Sequence, residues 1–586
     1  MSKLARCCAL RLQFTIRAAR TDIKYLFIRK DGFTVKKTIA LTLALMLLFT
    51  TAAALAEENI YGYEEPITIK VGRVTTDTTF YGGETSTDNS WSKLYADNGI
   101  LLDIIYDVDS SQGATKLATS IMSGDYPDII STTLSDYVNY ANGEVIADIT
   151  DLVDRYASDE LKQYINSDGG NALECLKVNG RIYGLPKISS TYGSASMLFI
   201  RKDWLDNLGL EVPSTMDELK AVAHAFTYDD PDQNGQNDTY GFAFSGVDVV
   251  SSSWGDVSLF FDSFGAHIGN GGLAIVEDEQ GNVTWGGTNA QGMKDALTLL
   301  HDMYVDGSLA KDFLTMTGNN ISEEAGGGRC GIFVAPMWGA MNPAWQAIQS
   351  DPKAHFITLE IPNAYENVVS KGFLGTSLNG VYCVSSQCEH PEVLIKLMNL
   401  SVHYLCHPAD TEEYYRYYGD YEKYTGWKLS LTDTLEPDKN LACYQKMGPA
   451  LETRDTATLN PYELDIYNSL ITYIDAVAAG TLNVEDAAFQ SPVARYTVYG
   501  DPQGAYAAID KMITDGRWVT SAYNAALTDE QADVSATLKK MTVETIVKIV
   551  TGAEPVDYYD AFLKSWMNNG GEDYIADAQA WVDSHK

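Results

Sequence analysis

An alternation of strands and helices near the beginning of the folded region constrains this chain most. Residues 67–74 are rich in β-branched side chains in an apolar alternation, which predicts a buried strand. A capped helix over 90–98, a strand over 100–106, a helix over 114–123 and a strand over 128–131 follow it. Strand–helix–strand units of this kind place parallel strands side by side with helical crossovers.

A second set of such elements begins near residue 196. We predict a strand over 196–200, helices over 215–226 and 290–304, a strand over 331–336, and C-terminal helices over 529–551, 558–567 and 573–582. The glycine runs 269–272 and 326–328 are typical of loops. Because 586 residues are enough for two or more cores, we expect two α/β lobes with a cleft at the carboxyl ends of their strands.

The loop that starts at Asp230 has the pattern of a calcium-binding loop. Positions 1, 3, 5 and 9 carry the oxygen-bearing side chains of Asp230, Asp232, Asn234 and Asp238. Gly235 stands at position 6, where such a loop turns, and the Gln236 carbonyl would occupy position 7. Position 12 is Gly241 instead of the usual glutamate. The pattern predicts a structural Ca²⁺ site; the alternative is a turn with solvated carboxylates.

Several segments carry the resemblance to a known family. They are SGDYPDII (123–130), ADITDL (147–152), GRIYGLP (180–186), DWLDNLGL (203–210), CEHPE (388–392) and ETIVKIVTG (544–552). In order and spacing these segments resemble the extracellular solute-binding proteins of ABC importers, especially the long Gram-positive-type branch that takes carbohydrates.

The resemblance implies a fold and a function. The fold would be periplasmic-binding-protein-like type II, an α/β fold in which the chain crosses between two lobes more than once and ends in a helix-rich segment. The N-lobe would contain 57–190 and about 375–455, and the C-lobe about 191–374 and 456–586. The protein would be a monomer that binds a carbohydrate, most simply an oligosaccharide, in the cleft. Closure around the ligand would then present it to the permease subunits.

Candidate ligand contacts follow from position along the predicted fold. Sugars are bound by flat aromatic faces together with polar groups that bridge their hydroxyls. Residues of these types fall where strand ends should open on the cleft: Asp77, Trp91, Thr132, Ser135, Asp136, Tyr192, Trp254 and Trp338. For each aromatic residue the alternative is an ordinary core or hinge position. Trp204 is predicted to be a core residue.

A dense aromatic cluster follows in the second half of the chain. It comprises Tyr414, Tyr415, Tyr417, Tyr418, Tyr421, Tyr424 and Trp427. Such a cluster serves either as a stacking platform for a longer glycan or as a packed insertion, and we favour packing.

The N-terminal region has the features of an export signal. Lys36 and Lys37 precede an apolar run over 38–49 and a small-x-small site that ends at Ala56, which predicts a signal peptide over 35–56. Residues 1–34 form a doubtful extension, and our hypothesis is that translation starts at Val35. No cysteine lies at the cleavage site, so the lipid anchor common in the family is not predicted. We expect an extracellular or cell-surface protein.

Charge and motifs narrow the classes of function. The net charge of −37 disfavours binding to nucleic acid and to anionic membranes. Walker A, HExxH and GxSxG patterns are missing from the sequence, so we predict a binding protein and not an enzyme. The alternatives are a peptide- or other solute-binding protein, and a glycan-active enzyme or adhesin on the same fold. Six cysteines follow the predicted cleavage site, and they are either bridged or free: Cys175, Cys330, Cys383, Cys388, Cys406 and Cys443.

Overall fold

The computed structural model describes residues 58–75, 80–250, 254–278, 280–420, 423–435, 438–525 and 527–584. The predicted signal peptide, the stretch before it, Asp77 and Tyr421 lie outside the described residues. Ile60–Lys586 form one compact unit. Within the described ranges, no helix combines the length and apolarity needed to cross a membrane.

The described residues contain short strands and many helices. The strands are β1 (Ile67–Thr75), β2 (Ile100–Asp109), β3 (Ile129–Thr132), β4 (Lys177–Val178), β5 (Arg181–Ile182), β6 (Gly184–Ile188), β7 (Met197–Arg201), β8 (Tyr240–Ala243), β9 (Ile275–Glu277), β10 (Val283–Trp285), β11 (Cys330–Ala335), β12 (Phe356–Leu359), β13 (Gly372–Leu374), β14 (Leu378–Val384) and β15 (Trp518–Thr520). The α-helices are Ser90–Asp97, Ser110–Ser123, Leu134–Asn142, Thr150–Tyr156, Asp159–Ile165, Asn171–Cys175, Lys202–Leu208, Met216–Tyr228, Ser258–Ser263, Gly269–Gly272, Ala290–Asp306, Gly318–Gly326, Met341–Ser350, Val393–Cys406, Thr411–Tyr417, Lys439–Thr453, Pro461–Ala479, Gln490–Arg495, Ala505–Thr514, Asp529–Val550, Tyr558–Trp566 and Glu572–Ser584.

Local sequence signals explain where several helices begin. Asn89 caps the helix Ser90–Asp97 by accepting a hydrogen bond from the Ser92 backbone, and the Ser92 side chain returns the contact. Thr215 and Glu218 form the same reciprocal box at Met216–Tyr228. The three predicted C-terminal helices are present. Gly269–Gly272, predicted as a loop, is a single helical turn.

The sheets contain both parallel and antiparallel pairs, whereas the sequence predicted parallel pairing. β1 pairs with β2 in parallel, and β8 pairs with β11 in parallel. β14 lies between β3 and β6 and is antiparallel to both. β7 lies between β12 and β11 and is also antiparallel to its neighbours. The antiparallel strands follow the segments in which the chain passes from one lobe to the other.

Two large hydrophobic cores separate the molecule into lobes. One core collects residues between Ile67 and Ile188 together with Tyr382 to Leu429 and defines the N-lobe. The other collects residues between Met197 and Ile361 together with Cys443 to Val582 and defines the C-lobe. The predicted two-lobed arrangement is thereby confirmed.

In the described ranges, the chain crosses between the lobes near residues 189–196, 375–377 and 438–442. The first two crossings lie together, because the Ser189 N–H donates to the Ser377 carbonyl (2.8 Å). The third falls earlier than the predicted boundary near residue 455, since Cys443 and Met447 of the helix Lys439–Thr453 are buried in the C-lobe core.

The six cysteines that follow the predicted cleavage site are free thiols. Burial raises the pKa of Cys330 and of Cys443 to about 12.

Candidate functional site

Two of the predicted aromatic residues come together at the carboxyl end of β11. The strand is buried along its whole length, and Trp338, which follows it, is 42% exposed. The ring centroids of Trp254 and Trp338 lie 5.7 Å apart at an angle of 49°. Trp254 is stacked on Phe333 of β11 at 6.0 Å and 3°. We call Trp254 and Trp338 the tryptophan pair; a fixed strand supports it, and it offers an aromatic face to solvent.

Tyr192 lies at the first crossing between the lobes. Its ring makes an edge contact with Trp518 of β15, with centroids 6.2 Å apart. Next to it is a hinge cavity of about 350 Å³, and its lining is rich in hydroxyl groups: Ser189, Thr191, Ser194, Ser196, Ser258 and Thr376. Burial raises the pKa of Asp262, which also lines this cavity, while a hydrogen bond from His267 acts in the opposite direction.

The predicted polar contacts Thr132, Ser135 and Asp136 lie at the end of β3 and in the helix that follows. Thr133 caps that helix: its Oγ1 accepts from the Asp136 N–H (3.2 Å) and donates to the Asp136 carboxylate (2.9 Å). Ser135 and Asp136 therefore occupy the first helical turn, and Asp136 is exposed. The cap already engages one oxygen of that carboxylate.

Trp91 is a core residue, and its prediction as a ligand contact is corrected. Its side chain is 0% exposed. The indole N–H donates to the carbonyls of Tyr417 (3.1 Å) and Gly426 (3.0 Å). Its ring packs edge-on against Tyr417 at 5.2 Å. The residue opens a helix at the expected place, but that helix turns it inward.

Similar packing decides the role of two residues of the aromatic cluster, Tyr414 and Tyr417. Tyr414 is 2% exposed and is stacked on Tyr418 at 4.9 Å. Tyr417 is 9% exposed against Trp91. The favoured alternative, a packed insertion, is confirmed for these residues. Trp427 differs, because it is half-buried and lines a second cavity.

This second cavity, the N-lobe cavity, has a volume of about 550 Å³ and lies beside the last residues of β1. Its lining includes the aromatic rings of Tyr106, Tyr382 and Trp427. Its charged lining residues are Arg73, Lys187, Lys428 and Asp433. Cavities of a few hundred cubic ångströms with aromatic walls and a few fixed polar groups are typical ligand sites. In the sequence, this cavity was indicated only by Arg73, a charged residue inside a strand predicted to be buried.

Two of these charges pair with each other. The Lys187 ammonium lies 2.7 Å from both oxygens of Asp433, and the Tyr382 hydroxyl also donates to that carboxylate. Burial raises the pKa of Asp433, and the nearby Lys187 lowers it. This triad is electrically balanced within the chain.

The guanidinium of Arg73 has hydrogen-bond partners for only part of its donors. Its side chain is 5% exposed, and Nη1 donates to the Leu429 carbonyl (2.5 Å). Nε and Nη2 are buried and have no hydrogen-bond partner within the described part of the chain. Burial lowers the pKa of this guanidinium. A buried charge without a full set of partners is costly.

The Asp230 loop is folded around its own polar groups. The carboxylate of Asp230 accepts from the N–H groups of Asn234 and Gly235, both at 3.0 Å, and the Asn234 amide contacts Asp232 (2.7 Å) and Asp238 (3.3 Å). Burial raises the pKa of Asp232, and the carboxylates of Asp230 and Asp238 add to that rise. Gly235 adopts φ 79°, which a side chain disfavours.

The fit of this loop to a cation is partial. Asp232 and Asp238 both contact the Asn234 amide, which brings the oxygen-bearing side chains that a hard cation prefers into one loop. Among the described residues, however, no three His, Cys, Asp or Glu side chains are close enough together to hold an ion. A bound Ca²⁺ would therefore depend on Asn234 and the Gln236 carbonyl as well as on the carboxylates.

Comparison with known proteins gives consistent matches. The family model for bacterial extracellular solute-binding proteins matches residues 85–382. The polygalacturonan/rhamnogalacturonan-binding protein YtcQ of Bacillus subtilis is 28% identical over 284 residues, which are 48% of this chain and 53% of YtcQ. The fructooligosaccharide ABC transporter substrate-binding protein FusA of Streptococcus pneumoniae is 30% identical over 212 residues, 34% of this chain and 38% of FusA. The chain thus spans about half or less of the length of these relatives.

Solved structures extend the similarity of fold to most of the chain. FusA in complex with kestose superposes with a TM-score of 0.61 at 18% identity, covering 89% of this chain and 99% of FusA. An EF-hand mutant of FusA in complex with fructo-nystose gives 0.60 at 17% identity, with the same coverage.

Proposed function

Because the chain belongs to the family of bacterial extracellular solute-binding proteins, we propose that it binds an oligosaccharide between its lobes and delivers it to an ABC importer. The observation that carries the proposal is the tryptophan pair, whose exposed ring stands at the end of a buried strand. Such a ring stacks on the apolar face of a sugar without rearranging the fold. The names of YtcQ and FusA, both of which refer to saccharides, support the same ligand class.

The lobe arrangement supports a closing motion. The two cores are joined by a few crossing segments, and hinges of this kind absorb the rotation of one lobe against the other. In the proposed cycle the ligand-closed monomer docks on permease subunits. Export through the signal peptide over 35–56 would bring the protein to the cell surface, and no catalytic step is part of the proposal.

Calcium at the Asp230 loop is a second, structural part of the proposal. The convergence of Asp230, Asp232 and Asp238 around Asn234 supports it. The loop contacts the end of the helix Lys202–Leu208, where Asn207 donates to the Pro231 carbonyl (2.8 Å). The ion would hold the loop in this position. Its effect would be on stability.

A thermal-shift panel tests the proposed function. Neutral and acidic oligosaccharides and peptides are added to the purified protein, and a ligand of the native state raises the melting temperature. Titration calorimetry then compares Trp338→Ala with the wild type; we expect affinity to fall by about 1–3 kcal/mol, the scale of losing a packed aromatic contact.

Tyr365→Ala is the matched control, because Tyr365 is an exposed aromatic residue (50%) that contacts Phe264 away from the tryptophan pair. Its affinity should equal that of the wild type. If no oligosaccharide shifts the melting temperature while a peptide does, the proposed ligand class is wrong. Equal affinity in Trp338→Ala and wild type would remove the tryptophan pair from the site.

A further inference from the structure

We infer that the N-lobe cavity binds the carboxylate of an acidic sugar unit, so that the oligosaccharide ligand contains uronic acid. The inference rests on the proposed function and narrows its ligand class. It is carried by Arg73, whose buried guanidinium lines the cavity and keeps two nitrogens without partners in the described part of the chain.

The charge of the cavity is opposite to the charge of the chain. The protein has 79 acidic and 42 basic residues, yet the cavity lining contains Arg73, Lys187 and Lys428 against Asp433 alone. Lys187 and Asp433 balance each other at 2.7 Å. The buried Arg73 guanidinium therefore places a positive charge in this lining, which attracts an anionic group on so acidic a protein.

The unpartnered atoms form the edge of arginine that holds carboxylates. Nε and Nη2 point in the same direction and bind two carboxylate oxygens at once. Two other arginines of the described ranges use this edge on a carboxylate. Arg201 holds Asp203 through Nε (2.8 Å) and Nη2 (2.6 Å), and Arg329 holds Glu324 through the same atoms (2.8 and 2.6 Å). In Arg73 the equivalent edge is the part that no described residue occupies.

Asp107, an acidic residue that acts electrostatically on Arg73, is already engaged. Asp107 favours the charged form of Arg73 from a distance. Its oxygens, however, accept from the hydroxyls of Thr75 (3.4 Å) and Ser86 (2.5 Å). A ligand carboxylate would supply the acceptor that Asp107 does not.

The rest of the cavity suits a pyranose ring. Its volume of about 550 Å³ exceeds what a water or a small anion needs. Tyr106 and Trp427, both half-buried, supply aromatic walls next to the cationic residues. Charge and stacking surfaces therefore occur in one place, as an acidic sugar requires and a free inorganic anion does not.

The test compares three probes of similar size by titration calorimetry on the purified protein: trigalacturonate, its fully methyl-esterified form, and neutral kestose. We expect trigalacturonate to bind most tightly and esterification to weaken binding by roughly 30-fold or more, the scale of removing one partner of a buried charge pair. Equal binding of the acid and the ester would overturn the inference.

Arg73→Gln is the matching variant, and Arg329→Gln is its control because Arg329 is a half-exposed arginine with its own partner, Glu324. We expect Arg73→Gln to lose the preference for the acid over the ester and Arg329→Gln to retain it. If Arg73→Gln does not fold, Lys428→Gln replaces it, since Lys428 is an exposed residue of the same lining. A several-fold smaller preference is then expected, and an unchanged preference overturns the inference.

The possible failures can be told apart. Tight binding of kestose together with weak binding of trigalacturonate contradicts the acidic ligand and leaves the proposed function intact. Binding of none of the oligosaccharides in the panel contradicts the proposed function itself. Binding of free inorganic phosphate as tightly as of trigalacturonate would replace the sugar by a simple anion and overturn the inference.

Discussion

Arg201 and Arg73 are both buried arginines on strands, one in each lobe, with side chains 2% and 5% exposed. Arg201 is fully engaged: it holds Asp203 with two hydrogen bonds, and its guanidinium lies 4.7 Å from the centre of the Trp204 ring. Among the described residues, Arg73 has a hydrogen bond only to the Leu429 carbonyl. Arg201 therefore stabilises the fold through its own ion pair, whereas Arg73 keeps hydrogen-bond donors that a ligand could use.

The same contrast extends to the aromatic residues and to the acidic loop. Trp204 is buried against Phe226 in an edge contact at 5.2 Å, whereas Trp338 is partly exposed. The carboxylates of the Asp230 loop crowd one another, and the pKa of Asp232 is raised. The partly exposed Trp338 ring and the crowded carboxylates of the Asp230 loop both lie at candidate sites.

Removing the charge of Arg201, which is fully paired, should have the largest effect on stability. We expect Arg201→Met to lower the free energy of unfolding by about 3–5 kcal/mol, because it leaves Asp203, whose side chain is 10% exposed, as an uncompensated buried charge. Urea denaturation measures the change. The double variant Arg201→Met/Asp203→Leu should recover part of the loss, since replacing both members of a buried pair is far less costly than removing one. No loss in the single variant would break the comparison.

The two tryptophans should differ almost as much. We expect Trp204→Ala to cost about 3–5 kcal/mol of stability through an unfilled core. Trp338→Ala should cost less than about 1 kcal/mol, because an exposed side chain leaves no buried cavity. Denaturant unfolding of both variants checks the contrast; similar losses would show that Trp338 is structural.

Much of the fold could be predicted because its signals are local. The strand β1, the capping box of Thr215 with Glu218 and the C-terminal helices are set by residues within a few positions of one another. Trp338 was singled out from its position after β11, but its contact with Trp254 was not predicted. The antiparallel place of β14 was not, because it depends on a return of the chain from the other lobe.

The errors and omissions at the site have a common physical origin. Trp91 is buried by backbone groups of Tyr417 and Gly426, more than 300 positions away. The balance of Lys187 by Asp433 joins residues separated by 246 positions. Arg73 is recognisable as a site residue only once its partners can be counted. Residue type and strand position do not contain that information.

Calcium should stabilise the protein if the crowded carboxylates of the Asp230 loop are completed by an ion. At a free concentration 100 times the dissociation constant, binding to the native state adds about 2.7 kcal/mol. Chelation should then lower the melting temperature, and Asp230→Ala should remove the response to calcium. Lys220, which pairs with Asp302 at 2.7 Å outside the loop, provides the control variant Lys220→Ala, which should keep the response. Equal melting temperatures with and without calcium would contradict the site.

The smallest expected effect is the most informative one, because it is the same substitution as the first at the other arginine. We expect Arg73→Met to change the free energy of unfolding by less than about 1 kcal/mol in the absence of ligand. The lost hydrogen bond to Leu429 is offset by removal of a buried charge that lacks a full set of partners. Parallel urea titrations of Arg73→Met and Arg201→Met measure the contrast directly. A loss of unfolding free energy as large as that of Arg201→Met would show that Arg73 also stabilises the fold, and the proposed difference between the two arginines would be wrong.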